Sequence, residues 1–389
     1  MKDKIVLITA GGHISSFHAA MKSMYLTLER VVGNKFEIYG ARGGLTGLIE
    51  DDFIPVFYED IDENRAGSLI GTDRKKVSNY DINRIVENVS KNNIYAIVMM
   101  GGDNHMAEAA RLYEETHVNI VAFPKTMDGD LSSFITLGWD TAVTIGAINT
   151  RLHYCSAMTS GGVFYVGLFG RNTDWVICGV DVYGVADRSI PCEQTYEWGF
   201  VWEKILNSLK ENEQKYDVRF AVVPYSEGAR INGLNTPLPE HQSIDKHGEI
   251  KLSSEWVGME LVRLTKRMGE DARFQAHTYS MRDSPPTRTD KILSAMAGEE
   301  CIEMILEEDF GKAVLFQPDG NGFYITERAE MKEISKKRKV KDTEFFDYLK
   351  LKSTDAFISQ YENLFSKSLG EITTKDDLVY RNMLRGKGG

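Results

Sequence analysis

An α/β fold of parallel sheets flanked by helices is predicted for this chain by three observations. Short apolar runs rich in β-formers end repeatedly in glycine or polar clusters and then give way to helical patterns, the alternation of a parallel sheet with its crossover helices. The runs are apolar throughout rather than on every second residue, as strands covered on both faces are. A length of 389 residues is too great for one ordinary core and suggests two lobes plus an extension.

Taken in order, KIVLITA (4–10) leads into Gly11-Gly12-His13 and a helical stretch from about Ser16 to Val32. YAIVMM (95–100) leads into GGDN and then HMAEAARLYEE. VNIVAF (118–123) leads into PKTMDGD (124–130), and VFYVGLF (163–169) into Gly170-Arg171. VRFAVVPY (218–225) leads into Ser226-Glu227-Gly228. Loops at the carboxyl ends of such strands are where function is expected. Asp290 reads as the cap of a helix from about Lys291 to Glu307. From about residue 326 the chain is charge-rich, then mostly helical or irregular, and reads as an extension packed on the body. Its run EMKEISKKRKVKD (330–342) reads as a solvated helix face, with a partner or phosphate site as the less favoured reading.

A net charge of -11 argues against non-specific nucleic-acid binding, which needs a basic face. It leaves room for anionic substrates, which local clusters of Arg and Lys decide. The four cysteines, Cys155, Cys178, Cys192 and Cys301, form no CxxC pair, so free thiols in a reducing cytoplasm are expected. The opening run is too short for a signal peptide. No stretch approaches the roughly 20 apolar residues of a membrane span.

Four constellations carry chemistry. GGDNH (101–105) offers two glycines and a helix N-terminus to phosphate, and Asp103 as a ligand for magnesium. The plain alternative is a strand-to-helix turn with Asp as its cap. In PKTMDGD, Asp128 can take a proton from an attacking hydroxyl, Asp130 can serve the metal or its waters, and Thr126 and Lys125 can hold a phosphate. The alternative is an acidic turn. AGSLIGTDRKK (66–76) combines glycines, hydroxyls and cations like a phosphate-gripping loop, or is a flexible surface loop. In HTYSMRDSPPTRTDK (277–291), Arg282, with Arg273 upstream, can clamp a sugar phosphate. Together the four converge on phosphoryl transfer to a phosphorylated hydroxyl compound.

The order of motifs resembles the phosphofructokinase family over about residues 1–325. GGD (101–103) is similar to that family's GGDG or GGDD loop, PKTMDGD to its PxTIDND, and LGWDTAV (137–143) to its GFDTA. LFGR (168–171) is similar to MGR, SEGA (226–229) to EGA, and YSMRDSPPTRTD (279–290) to GYxQRGGxPxxxDR. The resemblance implies two Rossmann-like lobes with the site in the cleft between them. The boundaries expected are 1–138 plus about 273–308 for the donor lobe, 139–272 plus about 309–325 for the sugar-phosphate lobe, and 326–389 for the extension. It implies that Asp128 is the general base for the 1-hydroxyl of fructose 6-phosphate and that Asp103 and Asp130 face Mg²⁺. Gly11, Arg74, Gly102, Asn104 and Lys125 then meet the donor phosphates. Thr126, with Asp128 and Asp130, lies at the transferred phosphate or the sugar. Gly170, Arg171 and Glu227 hold the sugar, and Tyr279 and Arg282 its 6-phosphate, with Arg273 reaching in from a neighbouring subunit. A cytoplasmic homodimer or homotetramer is implied, with no nucleic acid and no membrane as partner.

The donor turns on Asn104 and Lys125. Family members with Gly after GGD use ATP, while those with Asp there and Lys in PKTIDND tend to use pyrophosphate. Asn104 is nearly isosteric with Asp and Lys125 adds charge for a free diphosphate, so pyrophosphate is favoured over ATP. The pattern also breaks. The first loop reads GGHISSFHA (11–19) where the family has GGDxPGxNA, so His13, Ser15, Ser16 and His18 line it. His105 replaces a hydroxyl, Gly129 replaces the Asn of TIDND, and Gly161 and Gly162 stand where larger or cationic residues often face the sugar phosphate. Met281-Arg282-Asp283-Ser284 replaces QRGG. His13, His18 and His105 can be phosphate ligands or ordinary polar lining. Two alternatives follow: a kinase for another phosphosugar, and a non-catalytic sugar-phosphate-binding paralogue.

Overall fold

The computed structural model describes residues 2–11, 16–235, 252–321, 323–334 and 336–365. The chain begins β1 (Asp3–Thr9), α1 (Phe17–Val32), β2 (Phe36–Ala41), α2 (Leu45–Glu50), β3 (Phe53–Pro55), α3 (Asn79–Lys91), β4 (Ile94–Gly101), α4 (Asp103–Thr116) and β5 (Ile120–Pro124). It continues as α5 (Trp139–Ser160), β6 (Gly162–Leu168), α6 (Trp175–Val182), β7 (Thr195–Glu197), α7 (Trp198–Tyr216), β8 (Phe220–Ser226), β9 (Arg230–Asn232), α8 (Ser254–Arg267) and β10 (Ala272–Ala276). Last come α9 (Thr278–Asp283), α10 (Arg288–Leu306), β11 (Lys312–Pro318), β12 (Tyr324–Glu330), α11 (Met331–Ile334), β13 (Phe346–Asp347), β14 (Lys352–Ser353) and α12 (Asp355–Tyr361). The α/β class expected from the sequence is the class observed. Among the described residues no helix is long and apolar enough to cross a membrane.

The chain divides into two compact units: Met1–Thr141 with Arg282–Arg338, and Ala142–Met281 with the residues from Lys339 on. In the first unit the sheet order is β12-β11-β5-β4-β1-β2-β3. β2, β1, β4, β5 and β11 run parallel, while β3 and β12 close the two edges antiparallel. The central strands are apolar on both faces because helices cover both, and Val6, Ile8, Met99, Ala122, Leu48 and Ile85 share one core. α1 turns Phe17, Ala20, Met21, Met24 and Leu28 inward at helical spacing and packs on α10. A Cβ at Gly298 would lie 2.3 Å from the Ala20 carbonyl oxygen, so glycine sets how closely these helices approach.

Asp290 does not cap its own helix as the sequence suggested. Thr287 takes that place, accepting the Asp290 N–H at 3.2 Å. Asp290 falls one turn further in, and its buried carboxylate accepts the N–H groups of Gly138 (2.9 Å) and Thr141 (2.8 Å) and the Thr141 hydroxyl (2.5 Å). It therefore closes the first turn of α5, whose N–H groups have no partners within their own helix.

The second unit has the parallel order β10-β6-β8. α7 lies on β8, and α8 on β6 and β10. Tyr165, Val223, Tyr225, Ile205 and Leu261 share its core. The segment after residue 325 is shared between the units rather than forming a body of its own. β12 and α11 belong to the first. In the second, Phe345, Phe357 and Tyr361 surround Trp175, and Glu193 accepts the Val340 and Lys341 N–H groups at 3.0 and 2.9 Å.

Candidate active site

In the first sheet, β2 lies on one side of β1 and β4 on the other. The strand order thus reverses between β1 and β4, and the crevice outside their carboxyl ends is where an open α/β sheet takes a ligand. Gly11 follows β1, Gly102 caps α4 just past β4, and Lys125 follows β5. The loop of residues 66–76 joins them. The Gly11 N–H donates to Asp73 O at 2.7 Å and the Thr72 hydroxyl donates to Gly11 O at 2.9 Å. That pairing brings the exposed Arg74 next to Gly11. Asp73 itself serves α2, accepting the Thr46 N–H at 2.8 Å and its hydroxyl at 2.5 Å.

Gly11 has φ +87°, and a Cβ built on it would lie 3.6 Å from both the His105 ring and Lys125 Nζ. A lysine ammonium and a histidine therefore share the floor of a glycine turn. The Lys125 ammonium is buried and sits 5.0 Å from the centre of the Phe17 ring. Burial, with the cations Arg282 and Arg74, lowers its pKa to about 7, while Asp128 pulls the other way. An anion would relieve that environment. His105 is buried, and burial together with Lys125 lowers its pKa to about 4, so it is neutral at neutral pH. His18 is a backbone brace: Nδ1 donates to Arg65 O at 3.2 Å and Nε2 accepts the Leu69 N–H at 3.0 Å. His13 and Ser15 lie outside the described residues. Asp103 and Asn104 open α4, with Asn104 exposed.

The loop after β5 is tied to itself. Thr126 Oγ1 accepts the Asp128 N–H at 3.2 Å, and Thr126 O accepts the Thr136 hydroxyl at 2.7 Å. Asp128 is half-buried and Asp130 buried. Burial raises both carboxyls above their usual range. At Asp130 the Asp128 charge adds to burial, while at Asp128 Arg282 and Lys337 oppose it. Gly129 has φ +65°, and a Cβ there would lie 2.9 Å from the Trp139 ring. The family's Asn cannot occupy this backbone without moving the tryptophan.

The basic run is not the solvated helix face that its composition suggested. α11 ends at Ile334, and residues 336–338 run extended beside this loop. Leu131 pairs with Lys337 in an antiparallel bridge, and the Arg338 N–H donates to Asp130 O at 2.7 Å. Arg338 Nε donates to Gly129 O at 2.9 Å and Nη2 to Phe134 O at 3.2 Å. Lys337 Nζ stands 2.8 Å from Asp103 Oδ2 and 3.7 Å from Asp130 Oδ2. Although burial opposes it, the bond to Asp103 and the charges of Asp130 and Asp128 hold the Lys337 pKa above its ordinary value. Sequence reading missed both residues, whose partners lie some 200 positions away. The local clue was a helix pattern that fails after Ile334.

Asp103 and Asp130 suit a hard divalent cation in kind and number. Magnesium takes one or two carboxylates and completes its shell with waters and substrate phosphates. Among the described residues there is no group of three or more His, Cys, Asp or Glu that could hold a metal by itself. The convergence of both carboxylates on an ammonium shows that the position favours positive charge.

In the second unit the strand order reverses between β6 and β10. Gly170 follows β6 with φ +151°, and a Cβ there would lie 2.8 Å from Ser226 Oγ. The Glu227 N–H donates to Leu168 O and the Gly228 N–H to Gly170 O, both at 3.0 Å. These bonds align Gly170, Arg171 and Glu227 on adjacent strand ends, with the last two half-buried. Tyr279 is 68% exposed, its ring edge-on to Phe169 at 6.0 Å. Arg273 donates to Gly161 O at 3.1 Å and pairs with Asp271 at 3.5 Å. Gly161 and Gly162 have φ +72° and +82°, and a Cβ at Gly162 would lie 2.8 Å from Asp271 O, so this pair makes a tight turn. Arg282 belongs to the first unit, where its charge acts on Lys125 and Asp128.

The chain is 28% identical over 320 residues to a pyrophosphate–fructose 6-phosphate 1-phosphotransferase of Streptomyces coelicolor, covering 80% of this chain and 90% of that protein. It is 25% identical over 315 residues to ATP-dependent 6-phosphofructokinase 3 of the same organism, covering 79% and 89%. Its fold is similar to that of a pyrophosphate-dependent phosphofructokinase from Marinobacter aquaeolei (TM-score 0.77, 17% identity, 94% of this chain and 92% of that one). A second such structure, from Nitrosospira multiformis, matches with TM-score 0.78 at 15% identity over 94% and 92%. The phosphofructokinase family pattern matches residues 4–305, and with that match the chain belongs to the phosphofructokinase family.

Proposed function

We propose that this chain transfers a phosphoryl group from pyrophosphate to the 1-hydroxyl of fructose 6-phosphate. The observation that carries the reading is one cluster in the first unit. Asp128 and Asp130 stand on the loop after β5, Lys337 links Asp130 to Asp103, and the charge of Arg282 acts on both Asp128 and Lys125. A base, a two-carboxylate cation position and buried positive charge are what phosphoryl transfer asks of a protein, which works mainly by positioning and charge neutralisation.

In this reading the acceptor oxygen attacks the terminal phosphorus of the donor. The bond from that phosphorus to the bridging oxygen breaks, its electron pair leaves with orthophosphate, and the acceptor's proton passes to Asp128. A carboxyl raised by burial is a stronger proton acceptor than an exposed one, provided it starts ionised. Lys125, Arg282 and Arg74 neutralise donor charge, and Gly11 and Gly102 let it approach the backbone. Gly170, Arg171, Glu227 and Tyr279 are assigned to the sugar phosphate. Mg²⁺, held by Asp103 and Asp130, would neutralise and orient the phosphate oxygens.

Pyrophosphate is favoured because Lys125 places a buried ammonium where a free diphosphate can use it, with Asn104 rather than glycine at the mouth of α4. The 28% identical relative carries that donor in its name. ATP is the second reading, favoured by relatives named for it. The assay is Mg²⁺-dependent formation of fructose 1,6-bisphosphate with each donor. Turnover with ATP and none with pyrophosphate reverses the donor. No product with either, but turnover of another phosphosugar, replaces the acceptor. Sugar-phosphate binding with no turnover of any acceptor leaves the non-catalytic paralogue.

A further inference from the structure

Lys337 comes from a part of the chain that the family pattern, ending at residue 305, does not include. Its delivery is built rather than accidental. Ser132 donates its hydroxyl to Lys336 O at 2.9 Å, Leu131 bridges Lys337, and Arg338 fastens to the carbonyls of Gly129, Asp130 and Phe134. Five contacts on both sides of one residue place its ammonium between two carboxylates from separate loops, one after β4 and one after β5. An exposed ion pair on a free side chain has no such frame and contributes little. Yet the Lys337 side chain keeps 44% of its surface exposed, and a lysine stem has four rotatable carbons. The backbone is anchored while the head group can turn.

We propose that Lys337 is a resident counter-cation of the Asp103–Asp130 pair, which a divalent cation displaces only when it arrives with a diphosphate that can accept the ammonium. The charge count supports this. With both carboxyls ionised and one ammonium between them, the pair retains one negative charge, a poor attraction for a dication that must also face that ammonium at close range. A dication carrying diphosphate supplies anionic oxygens for Lys337, so metal and diphosphate bind cooperatively. Lys337 thereby moves from the carboxylates to the donor phosphates and becomes a donor-phosphate ligand. This rests on reading Asp103 and Asp130 as the cation site.

The test titrates the full chain with Mn²⁺ as probe, reading free Mn²⁺ by electron paramagnetic resonance with and without pyrophosphate. Lys337→Met removes the charge and keeps the stem, Lys337→Gln is a second neutral form, and Lys337→Arg keeps the charge. Both neutral variants are expected to bind Mn²⁺ alone about ten-fold more tightly than wild type, by relief of close-range repulsion. They should also lose most of the gain that pyrophosphate gives, while Lys337→Arg stays close to wild type. If Mn²⁺ affinity and its enhancement by pyrophosphate stay within about two-fold of wild type in every neutral variant that circular dichroism shows folded, Lys337 has no such role. Asp103→Asn with Asp130→Asn separates the two ideas. If that double variant binds Mn²⁺ and pyrophosphate as wild type does, the cation site itself is misplaced and the inference falls with it.

Discussion

Arg338 Nε donates to the carbonyl oxygen of Gly129 at 2.9 Å, so a residue near the end of the first unit holds the backbone between Asp128 and Asp130, the two aspartates of the candidate site. Gly129 is fixed there by its positive φ and by the Trp139 ring. Arg338→Ala leaves the Gly129 and Phe134 carbonyls without their side-chain donor, while the backbone N–H bond to Asp130 O remains. A loss of about 1–3 kcal/mol is expected from the buried acceptors, and Gly129→Ala should cost a similar amount through strain. Urea unfolding of both variants measures this. Unchanged midpoints would show that the loop holds its shape without either residue.

Asp128→Asn should lower kcat by about 10²–10⁴-fold, the range of a lost general base, with fructose 6-phosphate binding changed only a few-fold. Steady-state rates and equilibrium binding together decide it. A parallel loss of binding would move Asp128 from base to sugar ligand.

Lys125 has a folded pKa of about 7, below its ordinary 10.5. The fold thus prefers the neutral amine, a preference that contributes stability above the ordinary value and is lost as pH falls to the folded one. Lys125→Met should therefore be more stable than wild type at pH 6, by a margin that shrinks as pH rises above about 7 toward lysine's ordinary value. Diphosphate binding should raise the lysine's pKa again, so wild type takes up a proton at about pH 8 and the variant does not. Calorimetry in two buffers of different ionisation enthalpy reads the uptake from the difference in observed heat, and observed heats that differ no more for wild type than for the variant would count against a lysine–phosphate contact.

Asp290→Ala removes the acceptor for two N–H groups and a hydroxyl at the start of α5. A loss of about 2–4 kcal/mol is expected from a missing buried cap and the donors it leaves unpaired. Thr287→Ala should cost less, about 1–2 kcal/mol, through the lost N-cap and the lost hydroxyl bond to buried Asp140. Thermal unfolding ranks the two, and the reverse order would show that Asp290 matters chiefly within its own helix.

The sequence determined the parts of this protein that are local. Doubly apolar runs marked the parallel strands, because a strand covered on both faces has no polar side to show. Glycine and polar clusters marked the carboxyl-end loops, and Asp103, Lys125, Thr126, Asp128 and Asp130 were found there because their motifs are contiguous. The tertiary structure alone decided what depends on distant segments meeting. Lys337 and Arg338 looked like a solvated basic face because charge composition does not say where an extended segment docks. Asp290 looked like the cap of its own helix because its second partner, Gly138, lies 152 positions away. His18 could not be separated from a phosphate ligand until its two nitrogens were seen bonded to Arg65 and Leu69. Gly129 looked like an unexplained loss of Asn until the Trp139 ring was found in the space an added side chain would need. Hydrophobic periodicity reports the burial of each residue's own stretch, whereas these pairings depend on how separate loops are brought together after the chain has folded.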